Sequence, residues 1–371
     1  MDTASPVRRG RGVSGNVPNR FDPYATEPFD DGWGSVEEER LRPPAVATTL
    51  TPERARSALS WNDSPDLGFD RSLNPYRGCE HGCCYCYARP SHAFVGLSPG
   101  LDFETRLFFK PDMAAILARE LSRPGYAPRP VALGANTDPY QPAERRLGIT
   151  RALLEVLERF GHPLTIVTKG AGIARDLDLL RRLAERDLVR VWISVTTLDS
   201  ALARGMEPRA ATPARRLDAI RVLNAGGVPA GALLAPMIPG LNDAELERIL
   251  EAGVAAGATH AGWGLLRLPG ELRGLFTEWL RQHQPERARH VLSLIREVRG
   301  GDLNDSRFGQ RFSGQGPYAA MIGQRFRVAA KRLGVPERLA PLALHHFAVP
   351  DFAVPDDARS SARSDGQMTL F

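Results

Sequence analysis

The chain has 371 residues, 43% hydrophobic and 25% charged, with a formal net charge of +5 and a pI near 9.2. That composition suits a globular core with flexible additions and excludes a wholly disordered chain. No apolar run is long enough to span a bilayer, and the start "MDTASPVRRGRG" lacks the apolar stretch of a secretory signal, so the expected setting is cytoplasmic with no membrane partner. The positive charge is nearly all arginine; the lysines are Lys110, Lys169 and Lys331.

Residues 1–45 mix Pro, Gly, Arg and acidic residues without apolar periodicity and read as a disordered or loosely docked arm. A lead-in segment, 46–70, follows. From 71 to 270 strand and helix patterns alternate. "RSLNPYRG" is the first strand and "PDMAAILAREL" its helix. The later strands are read from "VALGANTDPY" (131–140), "LTIVTKG" (164–170), "VRVWISVTT" (189–197), "PAGALLAPMIPG" (229–240) and "THAGWGLLRLP" (259–269). Between them, Leu153, Val156, Leu157 and Phe160 share a helical face behind a Thr150 cap, and Thr212 with Pro213 starts another helix. Asn242 followed by Glu245 reads as a capping box.

Six successive βα units favour a parallel sheet, because each return to a parallel neighbour needs a crossover. Ligands then gather at the carboxyl ends of the strands. Residues 271–350 read as a C-terminal helical extension with a Gly-rich interruption at 304–321, and 351–371 as a flexible tail.

All four cysteines lie in "RGCEHGCCYCYARP", residues 77–90. Zinc sites usually draw on two ligand pairs a dozen or more residues apart, which four thiols in eight positions do not offer. Cys79, Cys83 and Cys86, spaced C-x3-C-x2-C, suit a cubane iron–sulfur cluster with one iron left open, and Cys84 is left over. Other polar residues keep two readings. Asp138 and Glu144 either read substrate or fix local structure. Glu207, Arg209 and Arg216 either face the site or are solvated. His81 either approaches a sulfide or faces solvent.

C-x3-C-x2-C with Tyr85 before the third cysteine, on the loop after a first strand, resembles the signature of the radical S-adenosylmethionine (SAM) superfamily. The resemblance implies an α/β fold, a partial (β/α)6 barrel, with a [4Fe–4S] cluster on Cys79, Cys83 and Cys86 and SAM on its open iron. An electron donor such as flavodoxin or ferredoxin is implied as partner. Within the superfamily, "CCYCYARP" resembles the spore photoproduct lyase or DNA repair photolyase-like branch. That likeness implies a DNA substrate, Lys169 on the SAM carboxylate, and Tyr85, Asn136, Ser194 and Thr196 as further cofactor-binding residues. Asn136 stands where spore photoproduct lyase carries a hydrogen-donating cysteine, so Cys84, Tyr85 and Tyr87 remain as candidate catalytic relays. A protein or small-molecule substrate stays open, as does a non-catalytic iron–sulfur or zinc module. Finally, Gln367, Leu370 and Phe371 in "DGQMTLF" resemble the peptide by which bacterial polymerases and repair proteins dock on the DNA sliding clamp.

Overall fold

The computed structural model describes residues 8, 10–22 and 46–351. Six short apolar segments form parallel strands: β1 (Arg71–Leu73), β2 (Val131–Leu133), β3 (Leu164–Thr168), β4 (Val189–Ser194), β5 (Ala230–Met237) and β6 (Ala261–Leu265). They pair in sequence order, with Leu59–Trp61 added antiparallel outside β1. Neighbouring strands match Leu73 with Leu133, Leu133 with Ile166, Thr168 with Ile193, and Ser194 with Leu233. The strands are parallel as the βα count implied, and β1 and β6 do not pair, so the sheet is a partial barrel, as the family resemblance implied.

The crossovers are helices α1 (Met113–Leu121), α2 (Ile149–Arg159), α3 (Leu177–Ala184), α4 (Pro213–Ala225) and α5 (Leu246–Ala255); α6 (Leu272–His283), α7 (Pro285–Val298) and α8 (Gly316–Arg332) follow β6. Leu153, Val156, Leu157 and Phe160 are buried on α2, as their spacing requires, within the main apolar cluster between sheet and helices. A second apolar cluster sits at the carboxyl end. It holds Cys84, Tyr85, Leu202, Met206, Phe276 and Trp279.

Two local expectations change. The cap of α2 is Gly148, at φ +64°, not Thr150. Thr150 lies in the first turn, where its N–H donates to Glu144 Oε2 at 3.0 Å and its hydroxyl to the Pro139 carbonyl at 2.6 Å. A carboxylate reaching in from outside thus does the capping, because the dipole of the helix start favours negative charge. Asn242 and Glu245 form no capping box. Asn242 is fully buried; its Oδ1 accepts from Ile238 N–H at 2.6 Å, and its Nδ2 donates to the carbonyls of Thr196 at 2.7 Å and Pro236 at 3.0 Å. Glu245 accepts from the Thr197 hydroxyl and the Leu198 N–H. Both side chains tie the end of β4 to that of β5, satisfying backbone groups that the strands leave behind.

Of the two readings of the arm, docking holds for residues 10–22: the Gly12 N–H donates to Glu104 Oε2 at 3.0 Å, Arg11 donates to the carbonyls of Glu104 and Val46, and Asn19 donates to that of Ala93. The arm's ties are mostly hydrogen bonds and glycine contacts, with Val13 and Val17 meeting the second cluster, so apolar periodicity could not reveal it. Gln367, Leu370 and Phe371 lie outside the described residues.

Truncating Asn242 leaves buried polar groups unpaired. Asn242→Ala should therefore lower unfolding free energy by about 1–3 kcal/mol in urea titrations, whereas an unchanged midpoint would show that the strand ends hold without it.

Candidate active site

The cysteine loop leaves the short strand Tyr76–Arg77 and runs across the carboxyl end of the sheet. Its backbone is pinned at many points. Cys79 N–H donates to the Phe103 carbonyl at 2.9 Å and Cys84 N–H to that of Met206 at 2.9 Å. Gln141 accepts from Glu80 N–H and donates to the Gly78 carbonyl. Gly82 has φ +67°, and a Cβ there would stand 2.6 Å from Glu104 Oε2; a Cβ on Gly12 would overlap the Gly82 carbonyl. Glycine is required on both sides of this contact.

Arg89 and Glu104, both fully buried, form an ion pair beneath the loop. Arg89 also donates to the carbonyls of Cys83 at 2.9 Å and Gly100 at 2.8 Å.

The cysteines are all free thiols. Burial pushes the Cys79 thiol well up, and Cys83 and Cys86 add to that rise by their proximity. Burial also raises Cys83 and Cys86; Lys169 and Arg216 oppose it at Cys83, and Arg89 and Lys169 at Cys86. Enclosed thiols flanked by cations fit a group that takes up thiolate charge, as iron does. Among the described residues no three His, Cys, Asp or Glu side chains converge as they would on a single metal ion. A cubane does not require that, since each of its irons takes its own ligand. Cys84, by contrast, is fully enclosed in the second apolar cluster.

Lys169 follows β3. Its N–H donates to Asp138 Oδ2 at 2.8 Å, and its ammonium stands 5.5 Å from the centre of the Tyr85 ring. No hydrogen bond or ion pair engages that ammonium among the described residues, so it is available to an anionic group. Asp138 is spent locally. It also accepts from the Thr168 hydroxyl at 2.6 Å and lies 3.3 Å from His81 Nδ1. Burial would raise its pKa, but His81 and these donors hold it at about 2. His81 is thus buried against Asp138, and neither exposed nor free.

Glu207 is one of the residues whose role the sequence left undecided. It is buried, accepts from the Tyr85 hydroxyl, from Arg216 and, at 2.8 Å, from the Thr196 hydroxyl. Arg216 donates in turn to the Ser194 carbonyl at 3.1 Å. The Ser194 hydroxyl donates to the Ala235 carbonyl at 2.9 Å. Ser194 and Thr196 are therefore already engaged with protein acceptors. Arg209 pairs with Glu80 at 2.9 Å. Asn136, half-buried, donates its backbone N–H to Asn74 Oδ1 at 2.8 Å and its Nδ2 to the Ser91 hydroxyl at 3.4 Å. Tyr87 is 48% exposed, and its hydroxyl donates to the Ala135 carbonyl beyond β2. Arg89 and Glu104 were not foreseen, since nothing in a pair fifteen positions apart marks it as buried.

A profile of the radical SAM superfamily matches residues 73–253. An uncharacterized protein of Mycobacterium tuberculosis is 37% identical over 288 residues, covering 76% of this chain and 81% of the relative. One from Methanocaldococcus jannaschii is 24% identical over 173 residues, 47% of this chain and 62% of the relative. Among solved structures, spore photoproduct lyase complexed with dinucleoside spore photoproduct matches with a TM-score of 0.53 at 18% identity, over 77% of this chain and 79% of that one. At that identity the likeness is one of fold.

If the three spaced thiols are the ligands, Cys79→Ala, Cys83→Ala and Cys86→Ala should each lose the visible absorption of protein reconstituted anaerobically with iron and sulfide, while Cys84→Ala keeps it. Full absorption in any of the first three would remove that residue from the set.

Proposed function

Because the chain belongs to the radical SAM superfamily, whose enzymes work with SAM and an iron–sulfur cluster, we propose that it is a radical SAM enzyme acting on nucleic acid, with a [4Fe–4S] cluster on Cys79, Cys83 and Cys86. The observation that carries this reading is the unpartnered Lys169 ammonium above a loop of enclosed thiols at the carboxyl end of the sheet. When bound, the cluster and SAM supply one-electron cleavage of the sulfonium to a 5′-deoxyadenosyl radical.

The chain's own residues do the rest. Lys169 meets the SAM carboxylate as a compact point charge. Glu207, fixed by Arg216 and Thr196, holds the Tyr85 hydroxyl and so sets the ring on which the Lys169 ammonium rests. The Gly12 segment and the second apolar cluster keep water from the far side of the loop. Cys84 serves packing on this reading. Tyr85 and Tyr87 remain the candidate relays, with Tyr87 the more exposed.

A nucleic-acid substrate is supported by the fold shared with spore photoproduct lyase and by the arginine-rich charge of +5. With no cysteine outside the loop, the hydrogen-atom donor differs from a thiol at the second strand end. Gln367, Leu370 and Phe371 are proposed to hold the enzyme near DNA through the sliding clamp, raising its local concentration there.

Reduced, reconstituted protein should convert SAM to 5′-deoxyadenosine and methionine, measured by chromatography; a fully loaded cluster with no SAM cleavage would overturn the enzyme reading. Lys169→Ala should keep the cluster absorption but weaken SAM binding at least about tenfold, the worth of one charge-assisted contact. Equal affinity would place the carboxylate elsewhere.

A further inference from the structure

Residues 304–315 form a seam that links the end of β6 to the loop preceding β1. Leu265 N–H of β6 donates to the Phe312 carbonyl at 2.8 Å. From the β1 side, Asp66 accepts from Gly309 N–H and from Arg311 Nε, each at 2.8 Å. Just past β6, the Arg267 guanidinium lies 4.9 Å from the centre of the Phe312 ring and 5.6 Å from that of Tyr87, which directly follows Cys86. Arg311 lies 5.0 Å from both Phe308 and Phe312. Phe308 is 59% exposed.

Charge across this seam does not balance. Arg311 is paired with Asp66, and Asp305 pairs with Arg307. Arg299, behind them, donates to the carbonyls of Leu266 and Gln310. Arg267 has no hydrogen bond or ion pair among the described residues, and its Nε is buried without a partner. Burial and the proximity of Arg311 both lower its pKa. A half-buried guanidinium whose Nε lacks an acceptor is costly, and an incoming anion would relieve part of that cost.

The geometry points to the kind of anion. A planar fork of donors matches a phosphate, and exposed aromatic faces beside it offer stacking to a base. A duplex hides its base faces, whereas an unpaired strand presents phosphate and base together. We propose that Arg267 and Arg311, with Phe308 and Phe312, form a landing for one phosphate and an adjacent base of an unpaired nucleic-acid strand, setting the next nucleotide against Tyr87 and the cysteine loop. The proposal rests on the nucleic-acid reading above and names the surface that performs it. An acidic polypeptide would use the charges but not the exposed Phe308.

The test is fluorescence anisotropy of the full-length protein with a labelled single-stranded oligonucleotide, across a salt series, with polyglutamate as competitor. Arg267→Gln should weaken binding about tenfold and reduce the slope of log affinity against log salt by about 0.7, the value for one phosphate on a single strand. Phe308→Ala, on an exposed side chain whose loss leaves the core intact, should weaken binding about tenfold with the slope unchanged. Arg182→Gln, which removes the same charge from a surface ion pair with Glu158, should do neither. Wild-type binding with Arg267→Gln no weaker than Arg182→Gln would overturn the landing and leave the nucleic-acid reading standing. Equal displacement by polyglutamate, or Phe308→Ala without effect, would overturn the base-stacking assignment in favour of a surface for acidic chains. No binding of any oligonucleotide by the wild type would overturn both.

Discussion

Beneath the cysteine loop a guanidinium and a carboxylate are enclosed together, and the geometry of the site depends on them. Arg89 holds the Cys83 carbonyl from below and Glu104 from the side, while Glu104 takes the Gly12 N–H of the arm. Such a pair gains its stability only when every donor and acceptor is used, and breaking one half leaves a buried charge that costs about 3–5 kcal/mol. The arrangement meets that condition, with Arg89 also donating to the Pro99 and Gly100 carbonyls. One ion pair thus sets the height of the loop and the position of the segment that closes over it. Three thiols can be held at a fixed spacing only on a backbone so constrained.

On the other side of the loop, Glu207 plays the corresponding part. Through Tyr85, Thr196 and Arg216 it links the cysteine segment to the end of β4 and to α4. Lys169 and Arg267 stand out against this background of satisfied charges. Neither has an acceptor among the described residues, and both sit beside tyrosines of the cysteine loop, Tyr85 and Tyr87. Positive charge left unmatched at the carboxyl ends of the strands is where a cofactor's carboxylate and an anionic substrate would each be received.

Much of this was readable in advance because it follows from local rules. Six apolar segments separated by helical stretches could return only as a parallel sheet, and the strands pair in that order. Thr212 caps α4 by accepting from Arg215 N–H, as its place before Pro213 implied. A lysine kept in an arginine-rich chain stood at a strand end and lies over the loop. What escaped is non-local. Asn242 and Glu245 have the spacing of a helix cap, but buried backbone groups of β4 and β5 compete for the same side chains and win. Residues 10–22 dock through glycine contacts and hydrogen bonds, which leave no trace in hydrophobic pattern. Glu207 and Arg216 were left open between facing the site and lying solvated, and only the burial of both shows them to be an ion pair tied to the cysteine loop.

Electron paramagnetic resonance of the anaerobically reconstituted, reduced protein, recorded with and without SAM, tests the central claim most directly. With three cysteine ligands and one open iron, a reduced [4Fe–4S] signal should be present and should shift when SAM binds, in the wild type and in Cys84→Ala alike. A cluster signal indifferent to SAM, or no cluster signal from protein that has taken up iron and sulfide, would contradict the account.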